Sequence, residues 1–377
     1  MLTKKLRVLV VDDTIVYRKA ISDALQTLPY IEVVGVAHNG VIAMSKVRSL
    51  KPDLLTLDIE MPEMNGIEVL QHLQQEAPET GVIMVSTLTA EGGAMTIKAL
   101  ELGAFDYLLK PASHNLQEST QYLKDMLTPM IQAFAQGRGT LAAIRTTASS
   151  TGTTLHKAGL GAQFHQRSST PAATSAAAAT PSLRRGKSEI IAIGISTGGP
   201  NALARMMPEL PGDLGVPLVI VQHMPPVFTQ SLANSLNAKC ALTVKEAENG
   251  ESLQANTAYI APGGKQMKLV ASADGRNRLI RITDDPPENS CRPSADYLFR
   301  SVADYYVGRT TAVIMTGMGS DGTKGLQTLK QKGALIIAQN QESCVVYGMP
   351  KAPVETGLAD VVAPLDRIAA EIVKSVK

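Results

Sequence analysis

At 377 residues the chain has room for two ordinary domains, each large enough to bury its own core. Hydrophobic residues make up 44% and charged residues 19%, a globular balance, and no apolar run approaches the ~20 residues that span a bilayer. The net charge is +2, and from Ser188 onward 18 basic residues face 18 acidic ones, which removes the electrostatic case for a nucleic-acid binder.

The start, Met1 to Arg7, leads into a strand with no signal-peptide apolar stretch. The expected location is therefore cytoplasmic, without membrane insertion. Short apolar runs then alternate with amphipathic stretches. Leu6–Val11, Ile31–Val36, Leu54–Leu57, Val82–Val85 and Tyr107–Leu109 read as strands. Between the first two, Ile15, Val16, Ala20, Ile21, Leu25 and Leu28 recur at helical spacing. Five such alternations predict a parallel, doubly wound α/β sheet over 1–128.

Asp12 and Asp13 follow the first strand and Asp58 follows the third. In a parallel sheet both strands end at the carboxyl edge, so these carboxylates converge there. Three carboxylates in one crevice repel unless a hard divalent cation joins them. Mg²⁺ suits carboxylates, water and a backbone carbonyl, for which Glu60 is well placed. Such a cation also offsets the charge of an incoming phosphoryl group, so that one carboxylate can act as nucleophile. Pro62 and Gly66 suit a sharp loop over the site. Ser86, or its neighbour Thr87, ends the next strand with a hydroxyl, and Lys110 ends the last strand with a cation. Taken singly, Asp12 and Asp13 read equally well as helix caps and Lys110 as a surface lysine; the joint placement at strand ends favours a site.

The segments Val-Asp-Asp at 11–13, Asp-Ile-Glu-Met-Pro-Glu-Met-Asn-Gly at 58–66, Met-Val-Ser at 84–86 and Asp-Tyr-Leu-Leu-Lys-Pro at 106–111 resemble the receiver domain of bacterial response regulators. The resemblance implies a flavodoxin-like fold, Asp58 as phosphoacceptor and Mg²⁺ on Asp12, Asp13 and Asp58. It also implies Ser86, Tyr107 and Lys110 as the switch.

Residues 137–187 combine Gly-Arg-Gly, Thr-Thr and Ser-Ser with an alanine block at Ala176–Ala179 and hold few large apolar residues. They cannot form a core, which predicts a mobile tether within a linker over 129–187. From Ser188 ordered patterns return as a second domain, 188–377. Glu189–Ile195, Pro217–Gln222, Ala258–Ala261, Thr311–Met315 and Ala334–Ala338 read as strands. Lys268–Ala271 and Arg278–Thr283 read as an antiparallel hairpin about Asp274-Gly275. Phe228–Leu236, Ser294–Tyr306 and Leu365–Val376 read as helices.

A serine hydroxyl attacks an ester only with a base in reach, a group orienting that base, and donors for the oxyanion. Ser196 sits in Gly194-Ile195-Ser196-Thr197-Gly198-Gly199, where a strand turns into a helix starting near Pro200. His223 ends the next strand, and Asp321 follows the strand Thr311–Met315. Each reading has a plainer rival. The glycine turn also suits a nucleotide phosphate, although Ser196 replaces the middle glycine of that pattern and the second strand ends in His223 rather than an acid. A lone His223 is more often structural, and Asp321 beside glycines suits a helix cap. His38, His72, His114, His156 and His165 lack a strand-end setting. Cys240, Cys291 and Cys344, widely spaced and odd in number, read as reduced thiols rather than a disulfide framework or a zinc motif. Cys291 and Cys344 are nucleophiles in principle, but nothing in the sequence marks a histidine partner for either.

Ala-Ile-Gly-Ile-Ser-Thr-Gly-Gly-Pro at 192–200, Gln-His-Met-Pro-Pro at 222–226, Tyr-Ile-Ala-Pro-Gly-Gly at 259–264, Arg-Pro-Ser-Ala-Asp at 292–296, Thr-Gly-Met-Gly-Ser-Asp-Gly at 316–322 and Val-Val-Tyr-Gly-Met-Pro at 345–350 resemble the chemotaxis protein-glutamate methylesterases. The order of the two domains matches that family along nearly the whole chain. The resemblance implies Ser196 as nucleophile, His223 as general base and acid, Asp321 as its orienting partner, and the Met318 backbone N–H in the oxyanion hole. It implies no cofactor in the esterase site. It implies methylated chemoreceptors as substrate, a chemotaxis histidine kinase as phosphodonor, methanol as product, and chemistry that also reaches a receptor glutamine. Two rivals are a phosphorylation-controlled DNA-binding regulator, opposed by the balanced charge, and a receptor-binding module with an inactive triad.

Overall fold

The computed structural model describes residues 5–111, 115–148 and 186–377. In chain order the strands are β1 (Leu6–Val11), β2 (Ile31–Ala37), β3 (Leu54–Asp58), β4 (Gly81–Ser86), β5 (Asp106–Leu109), β6 (Ile190–Ile195), β7 (Leu218–Gln222), β8 (Thr243–Glu246), β9 (Thr257–Ile260), β10 (Gln266–Ala271), β11 (Arg278–Thr283), β12 (Thr310–Ile314), β13 (Leu335–Gln339) and β14 (Val361–Ala363).

The first five form a parallel sheet in the order β2-β1-β3-β4-β5. The apolar runs of β1, β3 and β4 are buried on both faces, as a sheet covered by helices on either side requires, whereas the edge strand β2 is largely half-buried or exposed. On the helix Ile15–Gln26, Ala20, Ile21, Ala24 and Leu25 form the inner face. Ile15 and Val16, part of the same sequence repeat, are 73% and 58% exposed in its first turn.

The helix after β5 spans Leu116–Ala148 and passes through Pro129. It enters the span 129–187 expected to be a linker. The reason is apolar burial: Met130, Ile131 and Phe134 pack into the core of the first domain, and the Phe134 ring meets Phe105 edge-on at 5.3 Å. The tether expected over 137–187 lies largely outside the described residues.

Seven strands form the second parallel sheet, β14-β13-β12-β6-β7-β9-β8, with β10 and β11 as a separate antiparallel ribbon. The edge strands β8 and β14 are additions to the sequence reading. The decisive placement is central: β12, β6 and β7 are neighbours, so the loops leaving their carboxyl ends share one crevice. The two domains touch through the helices Ala90–Glu101 and Phe228–Asn237. Gly93 allows the approach, because a Cβ there would lie 3.0 Å from the Ser231 hydroxyl. Among the described residues no helix is long and apolar enough to cross a membrane.

Candidate functional site

The N-terminal crevice brings together Asp12, Asp13, Asp58 and Lys110 at the ends of β1, β3 and β5. Carboxylate oxygens of Asp12, Asp13 and Asp58 lie within 4.8 Å of one another. Asp12 and Asp58 are 0% and 2% exposed. Lys110 reaches across, 2.7 Å from Asp58 and 3.0 Å from Asp12, with its ammonium 4.8 Å above the Tyr17 ring. One cation does not satisfy the pocket: Asp12 Oδ2 is buried with an ion-pair neighbour but no hydrogen bond of sound geometry. Burial and the neighbouring Asp12 push Asp58 up to about 6, against the pull of Lys110. A second, hard cation fits this oxygen-only donor set, because three carboxylates share the one Lys110 ammonium. Gly66 is required for the covering loop, since a Cβ there would lie 2.2 Å from the Asp58 carbonyl. Asn65 starts the next helix with a capping box to Glu68.

The switch residues are divided. Ser86 is buried and its hydroxyl accepts from Thr96 at 2.9 Å. Thr87, half-buried, stands 3.5 Å from the Thr89 hydroxyl. Tyr107 points away from the acidic pocket into the other domain, where its ring stacks on Phe228 at 5.1 Å and 13°. Its neighbour Asp106 is buried and faces the Thr197 hydroxyl; burial raises its carboxyl to about 6.

Thr197 is the residue after Ser196. A cleft of about 630 Å³ is lined by Ser196, His223, Cys291 and Met318 from one domain and by Asp106 and Tyr107 from the other. Ser196 follows β6 at a turn whose Gly198 has φ 74° and caps the helix Gly199–Met206. The Ser196 N–H is spent on the Thr316 carbonyl at 3.0 Å, so it cannot also serve an oxyanion. The Met318 N–H has no acceptor among the described residues and is open to one. Gly317 permits the close approach, since a Cβ there would fall 2.7 Å from Ser196 Cβ.

His223 Nε2 donates to Asp321 Oδ2 at 2.8 Å. Asp321 is buried and takes four further bonds: from the Ser294 hydroxyl (2.8 Å), Asn289 Nδ2 (2.9 Å) and the N–H groups of Ala295 (2.6 Å) and Asp296 (3.2 Å). Burial alone would raise this carboxyl, yet His223 and these donors hold it below the ordinary range. Burial likewise disfavours a charged His223, but hydrogen bonds from the charged ring to Asp321 and the Cys291 sulfur outweigh it and lift the ring above its usual value. The cap reading of Asp321 is therefore half realised. It serves the N-terminus of the distant helix Ala295–Tyr305 as well as the histidine.

No hydrogen bond joins the Ser196 hydroxyl to His223 among the described residues. The free ring nitrogen, Nδ1, instead faces Cys291 Sγ at 3.6 Å. The sequence marked no histidine partner for Cys291; the fold supplies one across 68 residues. Gln222 was also missed. It is buried, and its Nε2 donates to the carbonyls of Ser196 (3.1 Å) and His223 (3.2 Å), fixing the two turns to each other. Asn289, Ser294 and Asp296 complete the frame. The Arg-Pro-Ser-Ala-Asp segment at 292–296 gave a sign of Ser294 and Asp296, and nothing gave a sign of Asn289. His72 pairs with Glu76 on a surface helix at 3.6 Å, and His114, His156 and His165 lie outside the described residues.

Residues 191–372 match the family model for CheB methylesterase, and residues 8–121 match the response regulator receiver domain. A relative from Desulfotalea psychrophila named protein-glutamate methylesterase/protein-glutamine glutaminase is 56% identical over 99% of each chain. The chain belongs to the CheB methylesterase family, with an N-terminal receiver domain. Relatives of the same printed name from Geobacillus kaustophilus and Bacillus subtilis are 44% and 41% identical, over 98% and 99% of this chain and 99% of each of theirs. The crystal structure of the Thermotoga maritima CheB methylesterase catalytic domain is 42% identical, covers 50% of this chain and 99% of its own, and has a TM-score of 0.48.

Proposed function

We propose that the chain hydrolyses γ-glutamyl methyl esters on chemoreceptors, releasing methanol, under control of phosphorylation at Asp58. The observation that carries the hydrolytic half is the buried His223–Asp321 pair beside the Ser196 turn, in a cleft with one unspent backbone donor at Met318. In the neutral ring, which is the form that can act as base, Asp321 holds the proton on Nε2 and the lone pair lies on Nδ1. When the ester enters, Ser196 gives its proton to Nδ1 and attacks the carbonyl; a catalytic hydrogen bond of this kind often closes only with substrate bound. The Met318 N–H faces the developing oxyanion. His223 returns the proton to the departing methanol and then activates water to free the glutamate. Asp321 favours the imidazolium that forms at each step. The same sequence on a glutamine side chain would release ammonia, in keeping with the second half of the relatives' name.

In the receiver, Asp12, Asp13, Asp58 and the Glu60 carbonyl would hold Mg²⁺. When bound, that cation offsets carboxylate repulsion and the charge of the phosphoryl group. Asp58 accepts the group from a histidine kinase of the chemotaxis system, in the cytoplasm. Lys110 then exchanges its Asp58 ion pair for phosphoryl oxygens, and Ser86 leaves Thr96 for the same target. Tyr107 and Asp106 lie three and four residues before Lys110 and seat against the cleft, so a shift of β5 is felt there. In the resting chain Asp106 and Tyr107, with Tyr122, Met126 and Pro129 of the helix after β5, wall one side of the esterase cleft, and the helix pair Ala90–Glu101 and Phe228–Asn237, with the 2.6 Å Glu101–Lys239 ion pair, holds the domains in that docking. A coupling of ~1–3 kcal/mol between phosphorylation and docking is enough for a 5- to 150-fold change in activity.

Methanol release from methylated receptor tests the chemistry. The whole chain should release methanol and the Ser196→Ala chain should not; turnover near wild type in that variant would remove Ser196 from the mechanism.

A further inference from the structure

The hydrolytic cleft contains a thiol that ester hydrolysis does not use. Cys291 is half-buried in the cleft wall, with Sγ 3.6 Å from His223 Nδ1. Because Asp321 can only accept from Nε2, the lone pair of the neutral ring points from Nδ1 toward the sulfur. A tetrahedral Zn²⁺, with bonds of about 2.3 Å to sulfur and about 2.05 Å to nitrogen, holds those two ligand atoms roughly 3.5 Å apart. The resting Sγ–Nδ1 separation is already at that value. Asp321 then stands behind the imidazole in the relation a carboxylate commonly has to a metal-bound histidine. Donor atoms of His223, Cys291 and Asp321 all lie within 4.8 Å of one another.

The thiol is also held in place. Asn289 and Ser290 occupy positive φ, 50° and 63°, in a turn closed by two backbone hydrogen bonds between Glu288 and Cys291, 2.7 and 3.1 Å. The Asn289 amide ties that turn to Asp296 and Asp321, 2.9 Å each. The cation therefore meets a prepared sulfur–nitrogen pair rather than a loose side chain.

We propose that Cys291 and His223 form an inhibitory site for Zn²⁺, with water from the cleft completing its coordination. Binding displaces the thiol proton and, from the protonated ring, the Nδ1 proton: Zn²⁺ joins the thiolate and the Nδ1 lone pair, and the displaced protons leave to solvent. Affinity therefore rises with pH. The lone pair taken is the one that must receive the Ser196 proton, so the loaded enzyme has no base. Sulfur and imidazole select a borderline cation, whereas the all-oxygen receiver pocket suits Mg²⁺, and the two sites do not compete. The inhibition rests on His223 being the base; the binding does not.

The test uses the full chain in excess Mg²⁺. Micromolar Zn²⁺ should stop methanol release, and a chelator should restore it. In Cys291→Ser and Cys291→Ala the half-inhibiting Zn²⁺ concentration, each variant measured against its own metal-free rate, should rise by at least ~10-fold, while Cys240→Ser stays at the wild-type value. Co²⁺ serves as the binding probe. The Ser196→Ala chain should show a near-ultraviolet thiolate-to-Co²⁺ band that vanishes when Cys291 is also changed. That band is independent of turnover, so it survives if the esterase assignment fails. Equal Zn²⁺ sensitivity in both Cys291 variants, or no band that depends on Cys291, overturns the site.

Discussion

The two halves of this chain build their chemistry in the same place and treat buried carboxylates in opposite ways. Each sets its reactive residues at the carboxyl edge of a parallel sheet. In the receiver, Asp12 and Asp58 share one lysine, and Asp58 is pushed up to about 6. In the esterase, Asp321 is just as deeply buried but collects five hydrogen-bond donors and is held below the usual carboxylate range. An under-satisfied pocket is built to take in charge from outside. A saturated one is built to keep its own charge fixed while a neighbour changes protonation.

Removing members of the saturated site should give the largest effects. Ser196→Ala and His223→Ala should each cut methanol release by about 10⁴-fold or more, because members of a triad act as a unit. Asp321→Ala should leave more activity than either, since it orients rather than attacks. A harmless Asp321→Ala would reduce Asp321 to a helix cap. None of the three should alter phosphorylation at Asp58.

In the receiver, Asp58→Asn should abolish acyl-phosphate labelling by a small phosphodonor, together with the Mg²⁺-dependent rise in activity, while resting turnover persists. Labelling that survives would redirect attention to Asp12 or Asp13.

The contact between the halves should give a smaller change. Tyr107→Ala removes an aromatic stack of the kind worth ~0.5–1.5 kcal/mol, so resting methanol release should rise by roughly 2- to 10-fold. An unchanged resting rate would mean that the stack does not hold the cleft shut.

The smallest effect separates the two pockets by pH. Asp58 has its folded value raised above 3.8 to about 6, so without metal its contribution to stability is present below about pH 4 and is lost as pH rises through 6. A bound divalent cation reverses that penalty. Mg²⁺ should therefore raise the melting temperature by a few degrees at pH 7.5 and by less at pH 5.5, and Asp12→Asn should reduce the gain at pH 7.5. A shift independent of pH would contradict a carboxylate site.

Much of this was legible in the chain. Asp12, Asp58 and Lys110, and likewise Ser196 and His223, stand directly after apolar runs, and a parallel sheet sends all such ends to one edge. Other features were hidden because they depend on pairings across long stretches of chain. The four-residue β8, Thr-Val-Lys-Glu, and the three-residue β14 are edge strands too short to carry a period. The helix through Pro129 looked like a linker until Met130, Ile131 and Phe134 found the receiver core. Ile15 and Val16 kept the helical spacing but fell in an exposed first turn. Cys291 gained its histidine only when the 288–291 turn folded over the cleft, and Gln222 looked like an ordinary strand end. Tyr107 was expected at the switch, but its stacking partner Phe228 lies in the other domain and leaves no trace in local sequence.

The central claim is that the receiver covers a competent esterase site. It is tested most directly by measuring methanol release from the same methylated receptors by the resting whole chain, the whole chain with phosphodonor and Mg²⁺, and a fragment from Ser188 to Lys377. The account predicts that the fragment matches or exceeds the phosphorylated chain, runs well above the resting chain, and ignores phosphodonor. A folded fragment no faster than the resting chain would contradict it and would make the receiver a direct activator.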